Sequence, residues 1–126
     1  MAVPAMKKIL VVDDSSTALM MSMTVLSKEP YILFSARDGQ EAVNKARSER
    51  PDLILMDVVM PRMNGFEACQ ELRNFVETRN VPILLVTTRG EEASVEKGFE
   101  VGCTDYVTKP INGPELLEKV RTYLAG

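Results

Sequence analysis

The chain has 126 residues, 45% apolar and 26% charged, a size and composition that build one soluble globular domain, 1–126, around a single core. Fifteen basic residues against 18 acidic ones leave no electrostatic footprint for direct binding of nucleic acid or an anionic membrane. The chain contains no histidine, which excludes Ser-His and Cys-His catalysis.

At the N-terminus, "MAVPAMKKILVVDD" offers four consecutive apolar residues after its lysines, too few for a signal-peptide core, and no later stretch is long enough to span a membrane. A cytoplasmic location is expected. "KKILVVDD" (7–14) is the first of five short Val/Ile/Leu-rich runs, and "YILFSA" (31–36), "DLILMD" (52–57), "VPILLVTT" (81–88) and "DYVTKP" (105–110) follow. Near-continuous apolar strands suit a parallel sheet covered on both faces. Between the second and third runs, Asp38 and Glu41 have the spacing of a capping box. Segment 90–102, "GEEASVEKGFEVG", makes the weakest helix, with three glycines, four glutamates and only Ala93, Val95, Phe99 and Val101 to bury. The last helix has Asn112 as its cap, Pro114 in its first turn and apolar residues at 116, 117, 120, 123 and 124. Five strands alternating with five helices imply right-handed βαβ units and a doubly wound α/β fold. Cys69 and Cys103 are isolated, in no metal or redox motif, and are expected to be free structural thiols.

Doubly wound sheets bind ligands outside the carboxyl ends of their strands, where the strand order reverses. Five of the residues at those ends carry chemistry: Asp13 and Asp14 after the first run, Asp57 after the third, Thr87 after the fourth and Lys109 in the fifth; Thr88 stands beside Thr87. Each has an ordinary reading as well. Asp13 or Asp14 suits the cap of a helix starting near Ser15, Thr87 a β-branched strand position, and Lys109 a solvated cation. Their joint placement is harder to explain that way, because adjacent carboxylates repel and need a cation to ionise together.

The motifs "VVDDS" (11–15), "MDVVMPRMNG" (56–65), "VTT" (86–88) and "YVTKP" (106–110) resemble, in order and in position, the receiver domain of two-component response regulators, in its single-domain CheY-like form. The resemblance extends from about Lys7 to Leu124. It implies a flavodoxin-like five-stranded parallel sheet of order 2-1-3-4-5 with five helices. By the same resemblance Asp57 is the phosphoacceptor, and Asp13, Asp14, Asp57 and the backbone carbonyl of Val59 hold Mg²⁺. Lys109 and the Thr87 hydroxyl meet the phosphoryl oxygens, and Thr87 and Tyr106 form the switch, although Tyr106 also suits an ordinary edge-strand tyrosine. The resemblance further implies a cis Lys109–Pro110 bond, a histidine kinase as donor, and a downstream protein partner met by the fourth helix, fifth strand and fifth helix. Gly65 is expected to supply a backbone conformation that other residues resist.

Three positions depart from the chemotaxis regulators: Val59 is apolar, Arg89 is not an acid, and Thr88 is larger than the usual Ala or Ser. They are expected to tune phosphoryl lifetime. Two alternatives stand beside this reading: the receiver part of a longer multidomain regulator, and a non-phosphorylated interaction module on the same fold. Haloacid-dehalogenase-like phosphatases also use a strand-end Asp with Mg²⁺, but they need an acid two residues later, where Val59 stands. A flavin or nucleotide binder needs a Gly-rich loop after the first strand, and "DDSSTA" is not one.

Overall fold

The computed structural model describes residues 6–88 and 92–125, with side chains throughout except at 92–94. The elements alternate as expected: β1 (Lys8–Val12), α1 (Ser16–Leu26), β2 (Ile32–Ala36), α2 (Gly39–Glu49), β3 (Leu53–Asp57), α3 (Gly65–Leu72), β4 (Ile83–Thr88), α4 (Glu92–Glu100), β5 (Asp105–Lys109) and α5 (Gly113–Leu124). All strand pairs are parallel, in the order β2-β1-β3-β4-β5. Order reverses at β1, which places a switch point between the ends of β1 and β3.

The period-2 alternation of each strand divides the core. Ile9, Val11, Leu53, Leu55, Leu84, Val86 and Val107 pack with Leu19 and Leu26 of α1 and Leu116, Leu117, Val120 and Leu124 of α5. Leu10, Val12, Ile54, Met56, Ile83, Leu85 and Tyr106 pack with residues of α2 and α3. Continuing that alternation, Asp13, Asp57 and Lys109 fall in register with the α1/α5-facing set. Thr87 falls with the other. The outer strand β2 departs from the expectation of a strand covered on both faces, because Ile32 is exposed at the sheet edge.

Helix caps followed the sequence with two corrections. Neither Asp13 nor Asp14 caps α1; Ser15 does, its Oγ accepting the Ala18 N–H at 3.3 Å. Asp38 caps α2, but Glu41 accepts the N–H of Arg37 at 2.6 Å, so the reciprocal half of the box lies one residue earlier. Asn112 caps α5 as expected. Cys69 and Cys103 are buried free thiols, and burial raises the Cys69 pKa to about 11, which keeps it inert. Phe99 does not join the core and stays 52% exposed. Among the described residues no helix is long and apolar enough to cross a membrane.

Candidate functional site

The ends of β1, β3, β4 and β5 surround a crevice of about 270 Å³ lined by Asp13, Asp14, Asp57, Val59, Thr87, Thr88 and Lys109, with Ser15 and Val86 completing it. Strand pairing sets the depth of each contributor. Asp57 is level with Val86, while Lys109 is level with Thr88, two residues further along β4. The lysine therefore reaches back over the carboxylate from above. Its Nζ lies 3.3 Å from Asp57 Oδ2 and 3.5 Å from Asp13 Oδ2. The Lys109–Pro110 bond is cis, as the resemblance implied.

Each carboxylate is held differently. Asp57, the last residue of β3 and 6% exposed, accepts the Lys109 ammonium and the backbone N–H of Val59. Asp13 turns one oxygen to the Ser15 N–H at 2.9 Å and the other to Lys109. Asp14 is exposed, and its backbone oxygen accepts Arg37 Nη2 at 2.8 Å. Carboxylate oxygens of all three lie within 4.8 Å of one another.

Burial is the largest influence on Asp57 and raises its pKa above the ordinary 3.8, and the neighbouring Asp13 pushes the same way against Lys109 and the Val59 N–H. For Lys109, burial works downward, but Asp57 and Asp13 outweigh it and the ammonium is held above its ordinary 10.5. Three carboxylates beside one ammonium leave two formal negative charges in the cluster. That surplus, presented by hard oxygen donors beside solvent, fits a Mg²⁺ ion, which takes one or two carboxylates and retains waters.

The backbone around Asp57 has two features with different sequence signals. Gly65 has no left-handed backbone, contrary to expectation; its need is space, since a Cβ there would lie 2.5 Å from the Asp57 carbonyl oxygen and 2.9 Å from Val58 Cα. Its N–H donates to Val58 O at 2.8 Å, closing the 58–64 loop over the end of β3. Asn64 and Glu67 then form a complete capping box at the start of α3. The spacing of that box is written in "NGFE", a signal in the sequence beyond those set out above.

Of the other expected residues, Thr87 is buried at the crevice wall, Thr88 is exposed at its rim, and Val59 stands 66% exposed at its mouth. Tyr106 lies outside the crevice. It is buried under α4, diagonal to Thr87 across the β4–β5 ladder, where Leu85 pairs with Tyr106 and Thr87 with Thr108. Arg89 lies outside the described residues.

A doubly wound sheet with an acid cluster, a buried lysine contact and a hydroxyl at its switch point defines the receiver class of signalling domain. The family model of the response regulator receiver domain matches residues 9–121, and the chain belongs to that family. It is 40% identical over 121 residues to the protein PilH of Pseudomonas aeruginosa, covering 96% of this chain and 100% of that one. The solved structure of chemotaxis protein CheY4 of Vibrio cholerae matches with a TM-score of 0.90 and 38% identity, over 95% of this chain and 100% of that one. The receiver domain of sensor histidine kinase PA1611 from P. aeruginosa, described with a magnesium ion coordinated in its active-site cleft, matches with a TM-score of 0.89 and 30% identity, over 97% and 100%. The chain also spans about half the length of transcriptional regulators it matches, 48% in two from Bacillus subtilis. Receiver domains of two-component response regulators are phosphoaccepting signalling modules.

Proposed function

We propose that Asp57 accepts a phosphoryl group from a phosphohistidine of a histidine kinase, and that phosphorylation changes the affinity of the α4-β5-α5 face for a downstream protein. One observation carries this reading. Asp57 is a nearly buried carboxylate, its oxygen 3.3 Å from a lysine that it shares with Asp13, in a cluster whose negative charge exceeds what that lysine neutralises.

The nucleophile acts as a carboxylate, so no general base is required for attack. A carboxylate oxygen of Asp57 bonds to phosphorus while the bond to the donor nitrogen breaks, and the bonding pair leaves with the imidazole. Lys109 stands where it stabilises charge spread over the transferring phosphoryl oxygens, and the Thr87 hydroxyl lies within the same wall. Asp13, Asp14 and Asp57, with the Val59 carbonyl, are the groups that would hold Mg²⁺. When bound, the ion supplies neutralisation of both the carboxylates and the incoming phosphoryl oxygens.

The test is Mg²⁺-dependent labelling by acetyl phosphate. One phosphoryl group per chain is expected on the parent and none on Asp57→Asn. Equal labelling of the two proteins would remove Asp57 as the acceptor. The half-length match to longer regulators favours a second reading, in which this receiver controls an attached output domain. Full-length mass analysis of the natural protein separates the two.

A further inference from the structure

Helix α1 carries two small residues one turn apart, Ala18 and Ser22, on one face. Their short side chains leave a cleft of about 360 Å³ between α1 and Ile111 in the loop after β5, over Val11, Leu55 and Val86 of the sheet. One end of the cleft meets Asp13, Thr88 and Lys109, the wall it shares with the Asp57 crevice.

Ser22 is 6% exposed, yet its hydroxyl makes no hydrogen bond among the described residues. Other helix hydroxyls of this chain turn back onto the backbone one turn earlier, as Thr24 Oγ1 does to Met20 O at 2.8 Å and Thr122 Oγ1 to Glu118 O at 2.9 Å. No side-chain polar atom among the described residues is both sealed from solvent and unpaired, so the Ser22 oxygen opens into the cleft that the residue lines. A hydroxyl held at that depth is unfavourable until something bonds to it.

We propose that this cleft binds an uncharged small molecule with an apolar body of bicyclic size and one hydrogen-bonding group, which Ser22 reads. Volume argues the size, since a cavity of about 150 Å³ holds benzene and ligand sites begin at roughly 300 Å³. Lining argues the class. Val11, Leu55, Val86 and Ile111 give an apolar body its contacts. The charges at the shared wall are engaged with one another: Lys109 with Asp57 and Asp13, and the second Asp13 oxygen with the Ser15 N–H. A charged ligand would therefore enter apolar surroundings without a partner. Met21, 55% exposed at the rim, supplies an unbranched thioether that adapts to the outline of a guest. The site goes beyond phosphoryl chemistry and sets a second ligand against the residue that contacts Asp57.

The probe is 2-naphthol, titrated into the full chain and followed by amide chemical shifts. One molecule should bind saturably, with a Kd of about 1 mM or tighter, and shift residues 18–22 and 111. Ser22→Ala should weaken binding about 2- to 13-fold, the worth of one net hydrogen bond. Ala18→Leu fills the cleft and should abolish binding; if it does not fold, Ile111→Phe fills the opposite side in its place. No saturable binding, or equal affinity in parent and filled variant, overturns the site. Unchanged affinity in Ser22→Ala overturns the role of the hydroxyl, and tighter binding of 2-naphthoate than of 2-naphthol overturns the uncharged class.

A second measurement needs no ligand. Ser22→Ala should raise Tm, because it removes an unpaired buried hydroxyl and favours the helix. A lowered Tm would show that the parent hydroxyl has a partner and would overturn the proposal. Neither measurement uses Asp57, so their failure leaves its role as acceptor to the acetyl phosphate experiment.

Discussion

Two aspartates at opposite ends of the sheet show how differently this fold treats a carboxylate. Asp105 opens β5 and is surrounded by donors: the Tyr123 hydroxyl at 2.6 Å, the Tyr106 N–H at 2.7 Å and Lys119 Nζ at 3.5 Å. Burial is the largest single influence on it and works upward, yet these donors prevail and hold its pKa below the ordinary 3.8. Asp57 closes β3 with one lysine at 3.3 Å, shared with a second carboxylate, and its pKa is raised. The first carboxylate is satisfied and structural. The second is left short of positive charge, and a site with unmet charge binds what the protein itself does not provide.

The largest effect should come from supplying that charge. Saturating Mg²⁺ binds the native cluster and not the unfolded chain, so at a hundred times its Kd it should add about 2.7 kcal/mol of stability. Asp14 is the variant to use, since it is exposed and its side chain makes no hydrogen bond or ion pair among the described residues. Asp14→Ala should lose most of the increment, whereas Asp105→Asn should keep it. An increment equal in parent and Asp14→Ala would place the ion elsewhere and break the contrast between the two aspartates.

The next effect sharpens the crevice side alone. Val59 stands exposed at the mouth beside Asp57 and cannot hold or orient a water in line with an aspartyl phosphate. Val59→Asn should shorten the phosphoryl lifetime about tenfold, a change of about 1.4 kcal/mol in the barrier. The loss of label from phosphorylated protein after donor removal measures it. An unchanged or slower loss would show that the mouth at residue 59 does not set the lifetime. Arg89→Glu belongs in the same series as the second expected tuning position.

What could be read in the sequence follows the same division. Apolar runs placed the five strands, and polar residues at their ends placed Asp13, Asp14, Asp57, Thr87 and Lys109 in one crevice, because a polar group closing a buried strand is conspicuous in one dimension. Steric relations were not legible. Gly65 looked like a turn glycine because "PRMNG" is turn chemistry, whereas the reason is a backbone passing too close to Asp57 for a side chain. Gly98 looked like simple weakness in α4, and only the folded chain shows Tyr106 filling the gap. The hydrophobicity of Phe99 suggests a core residue, but Tyr106 of β5 is the buried member of the pair and Phe99 stays exposed beside it. The Asp105–Tyr123 bond has no local signal in the sequence, because its partners are 18 residues apart.

The two aspartates should respond with opposite signs to loss of charge, each by roughly 1 kcal/mol, the middle of the range for point substitutions. In metal-free buffer at pH 7, Asp57→Asn should stabilise by removing a carboxylate that repels Asp13, and Asp105→Asn should destabilise by weakening three donors' bonds. Urea unfolding measures both. Shifts of the same sign would erase the distinction between a satisfied and an unsatisfied carboxylate.

The smallest effect is a pH window that differs between the two. Asp105 has a lowered native pKa, so the unfolded chain binds its proton first on acidification. Stability from this group is present above the unfolded value near 3.8 and is lost as pH falls through the lower native value. Asp57 has a raised native pKa, so the native chain binds its proton first, and the parent loses stability as pH rises from 3.8 through that raised value. Tyr123→Phe removes one donor from Asp105 and should cost about 0.5–1 kcal/mol at neutral pH, a net hydrogen bond at a partly exposed site. That cost should shrink below pH 3.8, where the carboxylate it supports becomes protonated in the unfolded chain and then in the native one. The advantage of Asp57→Asn should likewise shrink toward acid, but it should begin to do so at higher pH, where native Asp57 first takes up its proton. Urea midpoints of the three proteins at closely spaced pH values, in chelator, would show the two gaps closing in that order. If they close together, or if the Tyr123→Phe gap closes first, Asp57 is not the carboxylate left short of charge.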